Sequence, residues 1–228
     1  MKKENAQTSE RLVRIASGKA TIEGSLSIPT SAKGIVLFAH GSGSSRFSPR
    51  NQYVAKVLNK AGFATLLIDL LTEEEEETDA RTREFRFNID LLAQRLIDAT
   101  KWLKKNDDTA SLTFAYFGGS TGAAAALIAA AKLPNDVATV VSRGGRPDLA
   151  MEHLPKVKAP VLLIIGGKDT AVIEMNREAM KHIPTETKLE IIPGATHLFE
   201  EPGKLEKVAE LAADWFSKHL KKRTKQNR

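Results

Sequence analysis

Three side chains in this sequence could together carry out nucleophilic acyl chemistry: Ser120, Asp169 and His197. A serine hydroxyl is a weak nucleophile until a base removes its proton. A histidine base in turn needs a carboxylate to hold the right tautomer and to stabilise the imidazolium. Ser120 lies in GGSTG, residues 118 to 122, which fits G-x-S-x-G. Three fixed residues of such common types occur by chance in about one chain in ten of this size, so the spacing alone decides little. The surroundings decide more. Ser120 stands where the β-like SLTFAYF ends and the helix-prone TGAAAALIAAAKL begins. Asp169 follows the apolar run VLLIIGG, and His197 follows KLEIIPG in the loop GATHLF.

A strand that turns at once into a helix forces the turning residue into strained backbone angles, and flanking side chains would collide with the turn. Glycines at 118 and 122 remove those collisions, and the following alanines let the helix lie close to the sheet with its positive end near the serine. The chain order Ser, Asp, His then places each group at the carboxyl end of its own strand, where open parallel sheets hold their ligands. Taken singly, Asp169 could merely start a helix and His197 could be a structural hydrogen-bonder. Taken together they favour a catalytic triad.

The elements that would position them follow from periodicity. Short apolar runs alternate with segments of helical period, the pattern of an α/β fold with a mostly parallel sheet. Eight strands are expected: an opening hairpin at 12–16 and 20–29, then 34–40, 64–70, 111–117, 137–142, 161–167 and 188–194. Ser48-Pro49 reads as a cap and first turn of a helix that ends before Gly62. Phe85, Ile89, Leu92, Leu96, Ala99 and Leu103 form one apolar stripe, predicting a single helix over 81–105, and a last helix is expected over 204–220. The run EEEEE at 73–77 reads as a solvated loop or helix start. Residues 1–11 are expected to be a flexible lead, 12–220 one domain, and 221–228 a basic tail.

The motifs HGSGSSRFSPRN, FGGSTGAAAAL, GGKDTAV and PGATHLFEEP, with the eight strands in order, make residues 12–220 resemble the α/β-hydrolase superfamily, and more narrowly its small dienelactone-hydrolase-type members. Dienelactone hydrolases proper carry a cysteine at the elbow. This chain has none, and Ser120 makes it similar to the serine esterases of the superfamily. The resemblance implies a hydrolase of carboxylic esters acting through an acyl-enzyme. It also implies an oxyanion hole built from the backbone N–H groups of Ser42 and Thr121, and a loop-steadying role for His40. Lids in this superfamily usually enter between the sixth strand and the aspartate. The interval 142–160 is too short for a cap domain, so an open site for small or accessible esters is expected. The same triad could serve thioesters, peptides or other acyl acceptors. Arg143, just past the sixth strand, and Arg46 are candidates to bind a substrate carboxylate or phosphate, with pairing to acidic neighbours or helix capping an equal alternative for both.

A different class of function competes for the loop at 40–46. HGSGSSR follows a strand, leads into a helix, and precedes a second strand ending in Asp69, imitating the dinucleotide-binding fingerprint. Arg46 stands where the third glycine belongs, and no G-K-[ST] is present. A nucleotide-binding module would leave the triad unexplained.

Bulk properties exclude several other classes. The 228 residues hold no cysteine, which rules out a thiolate nucleophile, a thiolate metal site and disulfides. No histidine pair has zinc-like spacing, so neither metal nor cofactor is expected. The net charge of +6 resides in the two ends, leaving Asn5 to Leu220 formally neutral, which argues against a nucleic-acid partner. No apolar run is long enough to span a bilayer, and the N-terminus lacks the apolar stretch of a secretion signal. No membrane partner, a small-molecule ester substrate and a cytoplasmic location are therefore expected. Oligomeric state is not readable.

Overall fold

The structure is a computed structural model and describes residues 8–220. Eight strands form one sheet: β1 (Thr8–Ser17), β2 (Ala20–Pro29), β3 (Ile35–Ala39), β4 (Ala64–Ile68), β5 (Phe114–Gly119), β6 (Val137–Arg143), β7 (Val161–Gly166) and β8 (Thr187–Ile192). Their order across the sheet is β1-β2-β4-β3-β5-β6-β7-β8. The β1–β2 and β2–β4 pairs are antiparallel and the other five are parallel. This is the α/β-hydrolase fold expected from the sequence, and β5 sits near its middle, in a position to present Ser120.

Strands β3, β4, β5 and β7 are buried along their whole length, as continuous apolar runs covered on both faces must be. On one face, α1 (Pro49–Lys60) and α6 (Lys204–His219) cover Val36, Phe38, Phe117 and Val141 with Val54, Leu58, Val208 and Phe216. On the other, α3 (Ile89–Lys105) and α4 (Thr121–Lys132) pack Leu92, Leu96, Leu127 and Ile128 against Leu37, Leu66 and Tyr116. The alanines of α4 are all but sealed, and small side chains are what let the helix following the nucleophile lie so near the sheet.

Two expectations need correcting. The first strand starts at Thr8, not at residue 12, because Thr8, Ser9, Glu10 and Arg11 pair in register with Pro29, Ile28, Ser27 and Leu26 on β2. Only residues 1–7 of the expected flexible lead, and the basic tail at 221–228, lie outside the described residues. The single helix over 81–105 is two. The run EEEEE opens α2 (Glu73–Thr82), where Thr72 and Glu75 form a reciprocal capping box. The helix stops at Arg83, which adopts φ 61°. Asp79 then accepts hydrogen bonds from the N–H groups of Phe85 and Arg86 at 2.8 and 2.9 Å, and Asn88 caps α3. Phe85 keeps its apolar contact from the connecting loop, which is why the stripe reads as unbroken.

Between β6 and β7 lie only two short 3-10 turns, Pro147–Ala150 and Leu154–Lys156. The fold carries no cap domain there. No helix among the described residues is long and apolar enough to cross a membrane.

Candidate active site

Ser120 occupies the turn between β5 and α4 with φ 50° and ψ −122°, a backbone conformation that non-glycine residues rarely adopt. The flanking glycines have the steric role their positions suggest. A Cβ at Gly118 would lie 2.4 Å from the Cα of Ala123, and one at Gly122 would lie 2.2 Å from the carbonyl oxygen of Ala39. The turn is further pinned from β6, since the Ser120 N–H donates to the carbonyl of Arg143 at 3.2 Å and the Arg146 N–H donates to the carbonyl of Ser120 at 3.1 Å.

Asp169 and His197 meet across the ends of β7 and β8. The His197 Nδ1 and the Asp169 Oδ2 are 2.6 Å apart, a short charge-assisted contact that fixes Nδ1 as the protonated nitrogen and frees Nε2 to act as base. His197 lies against Gly144, whose Cβ, if present, would come within 3.4 Å of the ring. Gly144 follows Arg143, the residue that anchors Ser120, so Ser120, Asp169 and His197 share one corner of the sheet. No hydrogen bond joins the Ser120 hydroxyl to His197 among the described residues. Such bonds commonly tighten only once substrate is bound.

The loop after β3 brings Ser42 beside Thr121 at the start of α4, the pair whose N–H groups are expected as oxyanion donors. Ser42 and Thr121 are neighbours, but the Ser42 N–H donates to the Thr121 hydroxyl at 3.1 Å, and the two hydroxyls lie 3.0 Å apart. The Thr121 side chain thus already engages the Ser42 N–H, a detail that backbone reasoning from sequence could not reveal. His40 steadies this loop as expected. It is buried, its Nδ1 is 2.9 Å from the Gly41 carbonyl, and its Nε2 accepts from the Leu70 N–H at 2.9 Å. Burial lowers its pKa, with the Gly41 bond opposing, so it stays neutral.

Arg46 follows the alternative reading, pairing with acidic neighbours. Its guanidinium pairs with Asp69 and, at 2.7 Å, with Glu23, and its own N–H donates to Asp69 at 2.7 Å. It is consumed as a brace for the oxyanion loop and has no charge left for a substrate. Arg143 differs. It is only 7% exposed, and among the described residues no carboxylate pairs with it.

The loop around His197 is held by features the sequence reading missed. Phe199 takes φ 58° and is buried beside α6, Glu201 accepts from the Thr196 N–H at 3.0 Å, and Glu200 pairs with Arg50 of α1 at 2.9 Å. The remaining histidines stand apart from the triad; His219 stacks on Trp215 at 4.4 Å. Among the described residues no group of three potential ligands could hold a metal ion. A cavity of about 240 Å³ borders the oxyanion loop, lined by Ser42, Gly43, Leu71, Glu76 and Arg86. A larger open depression of about 1150 Å³ beside α2 is lined by Glu23, Asp69 and Glu73 to Glu77 and contains none of the triad.

Comparison with known proteins agrees with this fold. The model of the dienelactone hydrolase family matches residues 22–222. The chain belongs to the dienelactone hydrolase family. A crystal structure of dienelactone hydrolase from Anabaena variabilis ATCC 29413 is 60% identical, superposes with a TM-score of 0.93, and covers 94% of this chain and 100% of its own. The fold is shared more widely: Est1E from Butyrivibrio proteoclasticus, 17% identical, has a TM-score of 0.77 over 91% of this chain and 98% of its own. A Mycobacterium tuberculosis (strain ATCC 25618 / H37Rv) protein named "Putative phosphoribosyl transferase" is 59% identical over 208 residues, 91% of this chain. The chain spans about half the length, 46%, of that relative.

Proposed function

We propose that this member of the dienelactone hydrolase family is a serine hydrolase of small, accessible carboxylic esters, working through an acyl-enzyme. The observation that carries this reading is the Asp169–His197 contact of 2.6 Å at the ends of β7 and β8, on the same side of the sheet as the Ser120 elbow. His197 Nε2 takes the Ser120 proton as Oγ attacks the ester carbonyl, and Asp169 stabilises the imidazolium. The carbonyl oxygen, becoming negative, displaces the Thr121 hydroxyl from the Ser42 N–H and receives a second bond from the Thr121 N–H at the start of α4. His197 then protonates the departing alcohol and activates water to release the acid.

Substrate size is argued from the same loops. No lid covers the site, and the cavity beside Ser42 has room for a small group only. Leu198, next to His197, is an exposed apolar side chain, suited to a short alkyl or aryl ester. The transferase name of the mycobacterial relative belongs to a protein about twice as long, and the triad supports hydrolysis as the activity of this portion.

The test is turnover of p-nitrophenyl esters from acetate to decanoate by wild type and Ser120→Ala, with fluorophosphonate labelling of both. Activity and label confined to wild type, with short chains preferred, are expected. Full activity in purified, folded Ser120→Ala would overturn the assignment.

A further inference from the structure

The turn that follows β6 touches both Ser120 and His197. At its start the Arg143 carbonyl accepts from the Ser120 N–H at 3.2 Å, and at its end the Arg146 N–H donates to the Ser120 carbonyl at 3.1 Å. Between them Gly144, at φ 53°, lies against the histidine. A Cβ there would come within 3.1 Å of the His197 carbonyl oxygen and 3.4 Å of both Cε1 and Nδ1 of the ring. The height of this turn therefore sets how the base stands to the nucleophile. The next residue, Gly145, is buried, and a Cβ on it would overlap the Ser142 hydroxyl and the Ala123 methyl. What ties the turn to the rest of the fold is Asn176, wholly buried in α5 (Thr170–Met180), the helix that begins directly after Asp169. Its Nδ2 donates to the Gly145 carbonyl at 2.9 Å and to the Val172 carbonyl, one helical turn back, at 2.8 Å. One amide proton is thus spent on the turn and the other on the helix led by Asp169. The Asn176 Oδ1 has no hydrogen-bond partner. A buried acceptor left unpaired is costly, so it is the donors of this side chain that the site uses.

We propose that Asn176 is a positioning residue that sets the placement of His197 Nε2 relative to the Ser120 hydroxyl, by tying the Gly144–Gly145 turn to the helix that carries Asp169 at its head. This rests on the serine-hydrolase reading and adds a member to that machinery. Asn176 touches neither substrate nor the reacting atoms. It acts through the turn. The carboxylate that orients the imidazole from Nδ1 and the amide that fixes the surface beneath the ring belong to one helix, two turns apart, so they hold the ring as a unit. Without the Asn176 donor the Gly145 carbonyl loses that bond, and the turn can shift under the ring while Asp169 stays in place. The ring then tilts against Ser120. Its placement matters here because the resting site has no hydrogen bond between the Ser120 hydroxyl and His197 to hold the two together.

The experiment follows turnover of p-nitrophenyl butyrate, and the rate and amplitude of fluorophosphonate labelling, in wild type, Asn176→Leu and Asn176→Asp. Asn176→Leu keeps the bulk and removes both donors. Its kcat and its labelling rate are expected to fall by about ten- to a hundredfold, the order of loss for a misplacement approaching 1 Å, with KM little changed. Labelling amplitude should stay full, because every folded molecule still presents Ser120. A role in stability alone would lower the amplitude and spare the rate. Asn176→Asp sets a carboxyl against two carbonyl oxygens, where burial favours the protonated form, and that form can donate one bond. Its labelling rate is expected to lie between those of the other two proteins at neutral pH and to fall relative to wild type as the solution is made alkaline. A wild-type rate in Asn176→Leu, a raised KM with kcat unchanged, lost amplitude with an unchanged rate, or an Asn176→Asp protein no faster than Asn176→Leu overturns the proposal. If Asn176→Leu does not fold, the ratio of Asn176→Asp to wild type decides alone, and a ratio constant with pH overturns it. If wild type is neither active nor labelled, the hydrolase reading itself has failed and the positioning role falls with it.

Discussion

Gly122→Ala tests whether the glycines of the elbow are a steric condition for catalysis. The added Cβ would stand 2.2 Å from the Ala39 oxygen and 2.4 Å from the His40 oxygen, where ordinary contact begins at 3.4 Å. Both neighbours are backbone atoms, so no side chain can swing aside. The end of β3 and the start of α4 must separate by roughly 1 Å, and overpacking of this kind costs about 1–3 kcal/mol or more. In a domain of this size that lowers Tm by about 2–4 °C per kcal/mol. The atoms that move lead directly into Gly41 and Ser42, so the oxyanion donors move with them, and a displacement of about 1 Å costs on the order of a hundredfold in rate. The assay is a thermal melt beside kcat/KM for a short p-nitrophenyl ester. Gly18→Ala is the control: Gly18 has φ +62° but open space around its Cβ position, so it should lose about 1 kcal/mol from backbone strain and no activity. A Gly122→Ala protein as stable and active as wild type, or one no worse than Gly18→Ala, refutes the argument.

Asp169→Asn leaves the shape of the site intact but presents His197 with an amide. It should lower kcat by roughly 10⁴, the loss found when a triad aspartate no longer selects the tautomer; loss below tenfold under matched pH would remove Asp169 from the triad. The neutral, buried His40 makes an acid-side stability prediction. Burial holds its folded pKa below the ordinary imidazole value, so the unfolded chain binds the proton more readily. Stability is complete above about pH 6.5 and declines as pH falls through that value towards the folded pKa. Melting from pH 8 to 5 should show this decline, and His40→Gln should flatten it; identical slopes in both proteins would show that His40 contributes nothing.

The elements were legible in the sequence because burial on both faces imposes unbroken apolar runs, and helices on a sheet impose a stripe. The misreading at 81–105 has a physical cause. Phe85 packs against the core from a loop, and a stripe records burial, not backbone angles. The signs of the break were present in the Thr72–Glu75 capping box and in Asn88 as a cap. The meeting of Asp169 and His197 was legible because chain order and strand ends fix where they must converge. The separate fates of Arg46 and Arg143 were not, because both follow buried strands and differ only in what tertiary packing brings to them. Asp69 supplies the clue in retrospect. The acidic residue that completed the false dinucleotide fingerprint is the partner that binds Arg46, the residue replacing the missing glycine.

The chemistry here lies on loops, yet each loop is tied to something buried. His40 holds the oxyanion loop to Leu70, and Arg46 holds its far end to Asp69 and Glu23. Asn176, wholly buried in α5 (Thr170–Met180), donates to the Gly145 carbonyl at 2.9 Å and so fixes the turn that carries Gly144 against His197. Phe199 anchors the histidine loop in the core beneath α6. Donors that must meet a developing charge lower a barrier only if they are in place before the charge appears. An open site has no lid to assemble it on substrate binding, so its preorganisation must come from below. That is why His40 and Asn176, both buried, tie down the turns at the carboxyl ends of the strands.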